Sequence, residues 1–351
     1  MKMKLKVLCL LLVGLMATST FAATLCSWGN ADNTVGNWEV AANWKVVTPY
    51  PVPPLPTTSS GDEIKINRQG SVAIIDGISG TAYDYIQRLT LQTGVLTNPV
   101  IVRIKETGEA GSTQFGMGEF RAGASGSADQ CAEVYQSGGT LTVNDLVVAR
   151  SKNAIGFNTY GTYEISGGTL QARTPGAPDG RISIASFVDT AGNAGVAKFR
   201  IVGDTATINM NHLLIGSQMS NAPETAITGG DGTLEYNLTS AGTVSKITVV
   251  DTTLDKISVC LTKLVVNSTK NCPSAVDIVL VQNTGESAVD GVFDSITLSP
   301  ALAGYTLSYT YNAEANGGLG ERGTGNDIAL IPEPATIALL TLGLIAIRRK
   351  K

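Results

Sequence analysis

The chain has 351 residues, with 25 basic and 29 acidic side chains and a formal net charge of −4. Charged residues make up 15% of the chain, against about 25% in a typical soluble domain, and glycine reaches 39 residues. The acidic balance excludes nucleic acid as a partner, because such a surface repels phosphate backbones. The abundance of Gly, Thr, Ser and Val favours short strands and tight turns over helices.

The first 23 residues have the pattern of a secretory signal peptide. Three lysines precede an apolar run from Val7 to Met16, and Thr20-Phe21-Ala22-Ala23 offers small residues for cleavage. We therefore predict a signal helix over 1–23 that signal peptidase removes. Lipidation of Cys26 is the weaker alternative, because Thr24-Leu25 lacks the small residue expected before a lipidated cysteine.

Residues 24–80 are predicted to form an N-terminal cap with a proline-rich connector. Trp28, Trp38 and Trp44 are close together in the sequence, and five prolines between positions 45 and 61 favour an extended chain. Tryptophans at the end of a repeat array would close its apolar interior. A platform on which sugar rings stack is the alternative interpretation.

An internal repeat organises residues 81–275. VYQSGGTL at 134–141 returns as YEISGGTL at 163–170 and, more loosely, as FRIVGDTA at 199–206. Such repeats predict one solenoid coil each, and the coils must stack because a single coil cannot bury its apolar face. One inward layer is expected to hold Tyr135, Tyr163 and Phe199, a second Leu141, Leu170 and Ala206, and a third Leu146, Ile182 and Leu213.

After residue 275 the chain reads as successive strands, so residues 276–330 are predicted to be a C-terminal β cap that covers the exposed end of the stack. The predicted fold is all-β: a right-handed parallel β-helix, or β-solenoid, with capping strands. Two segments lie outside this domain, the signal helix at the N-terminus and a single transmembrane helix at the C-terminus.

Four cysteines remain after signal removal, namely Cys26, Cys131, Cys260 and Cys272. Export permits disulfides, and four cysteines allow three pairings. Cys260 and Cys272 are the candidate disulfide because they are close in sequence, which leaves Cys26 with Cys131. Buried free thiols are the alternative. The spacing of these residues does not suggest a zinc site, and we expect neither a metal nor a cofactor.

The C-terminal segment 331–351 combines three features. Pro332, Glu333 and Pro334 come first, an uncharged stretch over 335–347 follows, and the chain ends in Arg348, Arg349, Lys350 and Lys351. As a helix the uncharged stretch would measure about 20 Å, short against a hydrocarbon core of about 30 Å. The terminal cations favour the cytoplasmic side, which places the preceding chain outside. A core helix of a soluble domain fits poorly, because such a helix rarely ends in four cations.

These three features resemble the PEP-CTERM sorting signal of exported bacterial proteins. The resemblance implies recognition by an exosortase-type membrane enzyme, and it implies an envelope or cell-surface protein that the tail anchors until it is processed. The Ser-Gly-Gly-Thr-Leu coils, the tryptophan-rich start and the ending over 323–330 are similar to exported proteins with autotransporter-like β-helix repeats. That similarity implies a fold and no activity.

The exported part is more acidic than the whole chain. Without the three lysines of the signal, and without Glu333 and the four cations of the tail, residues 24–330 keep 18 basic and 28 acidic residues, a net charge of −10.

The sequence offers little catalytic chemistry. His212 is the only histidine and is expected at the surface, in a turn before a strand. No nucleophile elbow, phosphate-binding loop or metalloprotease helix occurs, so Ser-His-Asp hydrolysis is excluded. Gly229-Gly230-Asp231-Gly232 resembles a calcium turn, but a single copy is more often a plain β-turn.

Carbohydrate chemistry is the enzymatic alternative. A glycosidase needs two carboxylates across a cleft, and a calcium-dependent lyase needs an Asp cluster beside a base. Asp251 and Asp255 beside Lys256 could serve a lyase, although a solvated strand face explains them equally. The candidate carboxylates are Asp62, Glu63, Asp76, Asp84, Glu106, Glu109, Glu119, Asp179, Asp251 and Asp255. We predict a non-enzymatic surface or extracellular-matrix protein; the alternative is a polysaccharide-binding or polysaccharide-degrading protein that contacts extracellular polysaccharide.

Overall fold

The structure, a computed structural model, describes most of the chain between residues 25 and 333. The described ranges are 25–28, 32–38, 40–46, 63–77, 86–92, 94–108, 113–124, 130–150, 159–172, 180–187, 195–216, 231–238, 243–250, 256–259, 262–268, 276–315, 320–322 and 325–333. The predicted signal helix and the tail from Pro334 onward lie outside these ranges.

Within the described ranges the chain forms two sheets. The nine-strand sheet contains β2 (Val35–Asn37), β5 (Val72–Ile75), β7 (Val100–Ile104), β9 (Gln130–Gln136), β11 (Thr159–Ile165), β14 (Gly195–Val202), β17 (Asp231–Leu238), β20 (Thr262–Ser268) and β23 (Ser295–Leu298). The seventeen-strand sheet contains β1 (Leu25–Trp28), β3 (Trp44–Val46), β4 (Glu63–Ile66), β6 (Ile86–Leu91), β8 (Gln114–Ala124), β10 (Thr140–Arg150), β12 (Gly168–Ala172), β13 (Arg181–Phe187), β15 (Ala206–Met210), β16 (His212–Ile215), β18 (Ile247–Val249), β19 (Lys256–Val259), β21 (Ile278–Asn283), β22 (Asp290–Gly291), β24 (Tyr305–Asn312), β25 (Glu321–Arg322) and β26 (Asp327–Pro332).

The chain alternates between the two sheets, which generates successive coils. Strand β9 leads into β10, β11 leads into β12 and β13, and β14 leads into β15 and β16. Neighbouring coils pair in parallel, from β2 with β5 through to β20 with β23. The fold is therefore all-β with parallel sheets, as in a β-solenoid. Parallel pairing extends into both segments that were expected to be caps.

Alternation of apolar and polar residues explains why these segments form strands with one buried face. In β11 every second residue from Thr159 to Ile165 is buried, and the residues between them are partly exposed. The predicted third layer is confirmed: Leu146 pairs with Ile182, Ile182 pairs with Leu213, and all three side chains are fully buried.

The predicted position of Tyr135 is wrong by one residue. Val134, and not Tyr135, pairs with Tyr163, which in turn stacks on Phe199 with ring centroids 5.5 Å apart. Tyr135 pairs with Glu164 on the outer face of the nine-strand sheet. Because side chains alternate between the two faces of a strand, a slip of one residue moved Tyr135 from the interior to the surface.

The predicted position of Ala206 is also wrong. Leu141 pairs with Leu170 as expected, but Leu170 pairs with Ile208, while Ala206 lies beside Gly168. The turn between β14 and β15 is longer than the corresponding Ser-Gly-Gly turn, and this shifts the following strand by two residues. The Ser-Gly-Gly turn requires glycine: Gly168 has φ +78°, and a Cβ there would lie 2.3 Å from the Gly139 carbonyl oxygen.

Both ends of the stack are closed, in different ways. At the start, Trp28 and Trp38 are fully buried, and the Trp38 ring meets Phe115 edge to face at 4.8 Å. Burial of these two rings supports their role as a cap and not as a sugar-stacking platform. At the other end, β26 pairs antiparallel with both β21 and β24, which ends the parallel order of the seventeen-strand sheet.

Candidate functional site

The first residues of the C-terminal segment belong to the folded domain. Strand β26 is buried along its whole length, and Ile331 and Pro332 pair with Thr306 and Tyr305 of β24. The Glu333 amide then donates a hydrogen bond to the Gly304 carbonyl oxygen at 2.6 Å. The expected boundary between cap and sorting segment, at residues 330 and 331, therefore falls inside a continuous strand. Pro332 can occupy the strand end because it needs no donor partner there.

The remainder of the tail lies outside the described residues. This holds for Pro334, for the uncharged stretch over 335–347, and for Arg348, Arg349, Lys350 and Lys351. Among the described residues, no helix has both the length and the apolar character that crossing a membrane requires.

Cys131 is buried and carries a free thiol, so the pairing of Cys131 with Cys26 is not formed. Burial, followed by the nearby charge of Glu133, raises the pKa of the Cys131 thiol to about 11, which makes it unreactive at neutral pH. The candidate disulfide partners Cys260 and Cys272 lie outside the described residues.

Charged side chains on the outer face of the nine-strand sheet neutralise one another between coils. The Arg200 guanidinium lies 2.8 Å from Glu164 on the preceding coil and 3.1 Å from Glu235 on the following one. Lys198 lies 3.2 Å from the same Glu235. Burial raises the pKa of Glu235, but the charges of Arg200 and Lys198 outweigh burial and lower it overall. The lowered pKa keeps the Glu235 carboxylate ionised at neutral pH, and these ion pairs bind neighbouring coils together.

The seventeen-strand sheet has a similar row of charges on its outer face. Arg88 contacts Glu63 at 2.8 Å and Glu119 at 2.9 Å, and Arg121 also contacts Glu119. Two of the candidate carboxylates, Glu63 and Glu119, are therefore bridged by one guanidinium. A glycosidase pair would instead face a substrate across a cleft.

Two of the remaining candidate carboxylates, Asp76 and Glu106, lie within the described ranges. Asp76 accepts hydrogen bonds from the Thr107 amide and hydroxyl, and Glu106 accepts one from the Thr113 amide. The following lie outside the described residues: Asp62, Asp84, Glu109, Asp179, Asp251 and Asp255.

A polar groove of about 460 Å³ lies at the C-terminal end, lined in part by Glu286, Glu314 and Asp327. The Asp327 carboxylate is nearly buried and accepts hydrogen bonds from the amides of Asn283 at 2.7 Å and Ala313 at 2.6 Å. Burial raises the pKa of Asp327. In the described ranges, no three His, Cys, Asp or Glu residues are grouped so that they could hold a metal ion. Asp327 thus holds cap segments together.

A second groove, of about 370 Å³, lies on the outer face of the nine-strand sheet. Tyr135 lies in it between its two pairing neighbours, Arg103 on β7 and Glu164 on β11. The Arg103 guanidinium carbon is 6.0 Å from the Tyr135 ring centroid. Lys105, Gln136, Ser137 and Ser166 complete the polar lining. Sequence reasoning missed this groove because it assigned Tyr135 to the interior.

The structure also places two other residues that the sequence analysis singled out, His212 and Asp231. His212 is the first residue of β16, partly exposed, and pairs in register with Arg181 and Lys256 of adjacent coils. Asp231 begins β17 and lies 3.0 Å from the ammonium of Lys263. An ion pair between coils therefore accounts for Asp231 without calcium. Gly229 and Gly230 lie outside the described residues.

Comparison with known proteins identifies one motif. A family profile for the PEP-CTERM protein-sorting motif matches residues 330–351. No curated protein and no solved structure matches the chain. The fold and this motif define a class: an exported, envelope-associated protein on a β-solenoid-like scaffold. The chain carries a PEP-CTERM sorting motif, which is a recognition signal for exosortase-type processing.

Proposed function

We propose that the chain is a non-enzymatic surface or extracellular-matrix protein, built as a right-handed parallel β-solenoid and processed through its PEP-CTERM tail. The single observation that carries the proposal is the sorting motif at residues 330–351, joined directly to a parallel β scaffold. Right-handedness is expected because parallel strand crossovers are right-handed in about 98% of cases. Signal peptidase and the sorting enzyme are the processing partners.

The tail is proposed to hold the protein at the membrane until processing. In this proposal the uncharged stretch over 335–347 would cross the membrane as a short helix, with local thinning of the bilayer or snorkelling of the flanking cations. Arg348, Arg349, Lys350 and Lys351 keep the end of the chain on the cytoplasmic side.

Cell fractionation tests this proposal with two full-length forms. Replacement of the four terminal cations by Ser should shift protein from the membrane fraction to the soluble exported fraction. As a control, replacement of Lys198 and Lys263 by Ser changes two exposed charges of the domain and should leave the distribution as in wild type. Wild-type protein in the cytoplasmic fraction with its signal peptide intact would refute export.

Polysaccharide binding is the second candidate, favoured by the groove at Tyr135 with its adjacent cations. Binding fits better than degradation, because the carboxylates of Glu63, Glu119, Glu164 and Glu235 are all engaged by arginine. Incubation of the full-length protein with acidic polysaccharides should therefore release no new reducing ends and no unsaturated sugars. Measurable release would favour a lyase or glycosidase.

A further inference from the structure

The groove at Tyr135 combines a partly exposed aromatic ring with two cations. Arg103 lies on the outer face of β7 and is exposed, and Lys105 follows directly after the end of the strand and is partly exposed. The Tyr135 hydroxyl donates to Glu133 at 2.7 Å, which fixes the orientation of the ring. Parallel strands lie about 4.8 Å apart, so β7, β9 and β11 present one continuous polar surface.

The two cations of this groove differ from the other strand arginines. Arg88, Arg121, Arg181 and Arg200 each contact a carboxylate within 3.2 Å. Arg103 contacts the Tyr135 ring, and in the described part of the chain it has no carboxylate partner.

Lys105 likewise makes no ion pair within the described ranges. Its charge acts weakly on Asp76, whose pKa is lowered first by hydrogen bonds from Thr107 and, to a lesser degree, by Lys105. Glu164 also lines the groove, but its carboxylate is paired with Arg200, so the two positive charges of Arg103 and Lys105 are available to a ligand.

We propose that this groove binds a carboxylate-bearing polysaccharide, such as a polymer of uronic acid. A guanidinium can bind a sugar carboxylate through two parallel hydrogen bonds, and Lys105 adds a point charge for the next carboxylate. The Tyr135 ring offers a flat apolar surface for a sugar ring. Ser137 and Ser166 also line the groove, where their hydroxyl oxygens would accept hydrogen bonds from sugar hydroxyls.

The negative charge of the whole domain means that an acidic polymer would bind only at a local cationic site. Residues 24–330 carry a net charge of −10, so the surface as a whole repels a polyanion. Binding of an acidic polymer must then come from a local site, and Arg103 with Lys105 supplies one. The inference deepens the proposed function, because export gives the groove access to extracellular polymers.

The test measures binding of full-length protein, purified in detergent, to polygalacturonate, dextran and dextran sulfate. Wild type should bind polygalacturonate, should bind it more tightly than dextran sulfate, and should not bind neutral dextran. Arg103→Ala/Lys105→Ala should weaken polygalacturonate binding by about tenfold or more, since two charge-assisted contacts are lost. Tyr135→Ala should also weaken it, while Tyr135→Phe retains most of the affinity because the ring remains.

The matched control is Lys198→Ala/Lys263→Ala, which removes the same net charge from the same sheet face. Both control lysines are already paired with carboxylates, so affinity should change less than about twofold. The proposal is overturned by absent polygalacturonate binding, by equal losses in both double variants, or by tighter binding to dextran sulfate or dextran. If the wild-type protein localises to the envelope but does not bind polygalacturonate, this inference alone is wrong and the proposed function stands.

Discussion

The Glu333 amide donates a hydrogen bond to the Gly304 carbonyl oxygen, 2.6 Å away. Glu333 lies within the sorting motif, and Gly304 belongs to the turn before β24, so the motif begins inside the C-terminal cap. No linker separates the folded domain from Pro332 and Glu333. A processing enzyme that acts at these residues must therefore work directly against the domain or open the end of β26.

Truncation tests how far the domain extends. A chain that ends after Glu333 keeps β26, and we expect it to be exported in soluble form with a melting temperature within a few degrees of wild type. A chain that ends after Asn326 loses β26, including Ile328 and Leu330, which are fully buried. Since each buried Ile or Leu contributes about 2–5 kcal/mol, this shorter form should unfold or aggregate.

Circular dichroism melting and fractionation of the two truncated forms check this expectation. Retention of the longer form in the membrane pellet would show that residues 334–351 are not a separable anchor. Normal folding of the shorter form would show that β26 is dispensable for the cap.

Ile165→Asp should destabilise the protein severely. Ile165 is fully buried between Gln136 and Ile201 of adjacent coils, so an unpaired charge would enter a packed layer. We expect a loss of about 4 kcal/mol or more in the free energy of unfolding, measured by urea denaturation. The control Thr207→Asp places the same charge on an exposed strand position and should cost less than about 1 kcal/mol. Equal stability of the two variants would mean that the strand register is wrong.

The sequence predicted the third layer correctly because Leu146, Ile182 and Leu213 each begin the short apolar segment that follows one copy of the repeat. It failed at Tyr135 because two adjacent residues, Val134 and Tyr135, were both able to face inward, and only pairing with the next coil decides between them. It failed at Ala206 because the turn after β14 is two residues longer than the Ser-Gly-Gly turn, although the two repeat copies align without a gap in sequence.

The Tyr135 groove and the ion pairs could not be predicted from the sequence for a related reason. Arg103 and Tyr135, like Arg200 and Glu164, come from different coils, and only the register of the parallel ladder brings them together. The sorting motif could be recognised from the sequence without knowledge of the strand register, because its residues are contiguous in the chain.

Gln136 and Tyr163 should behave as a coupled buried pair. The Tyr163 hydroxyl donates to Gln136 Oε1 at 2.6 Å, and Gln136 Nε2 donates to the Thr169 carbonyl oxygen at 2.9 Å. Gln136→Leu alone should cost about 1–3 kcal/mol because the buried hydroxyl loses its partner. Adding Tyr163→Phe should recover about 1 kcal/mol. A double-mutant cycle of urea unfolding measures this coupling; strict additivity would contradict it.

Glu235 should make stability depend on acid pH. Burial raises its pKa, but Arg200 and Lys198 outweigh burial and lower the pKa in the folded state below the reference value of 4.5. A lowered folded pKa means that the carboxylate stabilises the fold fully above pH 4.5, and that this contribution disappears as the pH falls through the folded pKa. Glu235→Gln should therefore cost about 1 kcal/mol at pH 7 and much less at pH 2.

Urea midpoints at the two pH values measure this difference. The control Glu286→Gln removes an exposed carboxylate and should leave the midpoint close to wild type at both. If the loss of stability caused by Glu235→Gln is the same at pH 7 and pH 2, lost packing and not lost charge causes it.

Mass spectrometry of the protein from its native envelope tests the central claim most directly. If the chain is exported and processed through its PEP-CTERM tail, the mature N-terminus should follow residue 23. The C-terminal peptide should then lack residues 335–351, with or without an added glycolipid mass on the new end. An intact chain from Met1 to Lys351 in the native envelope, with no processed form, would contradict sorting through this tail.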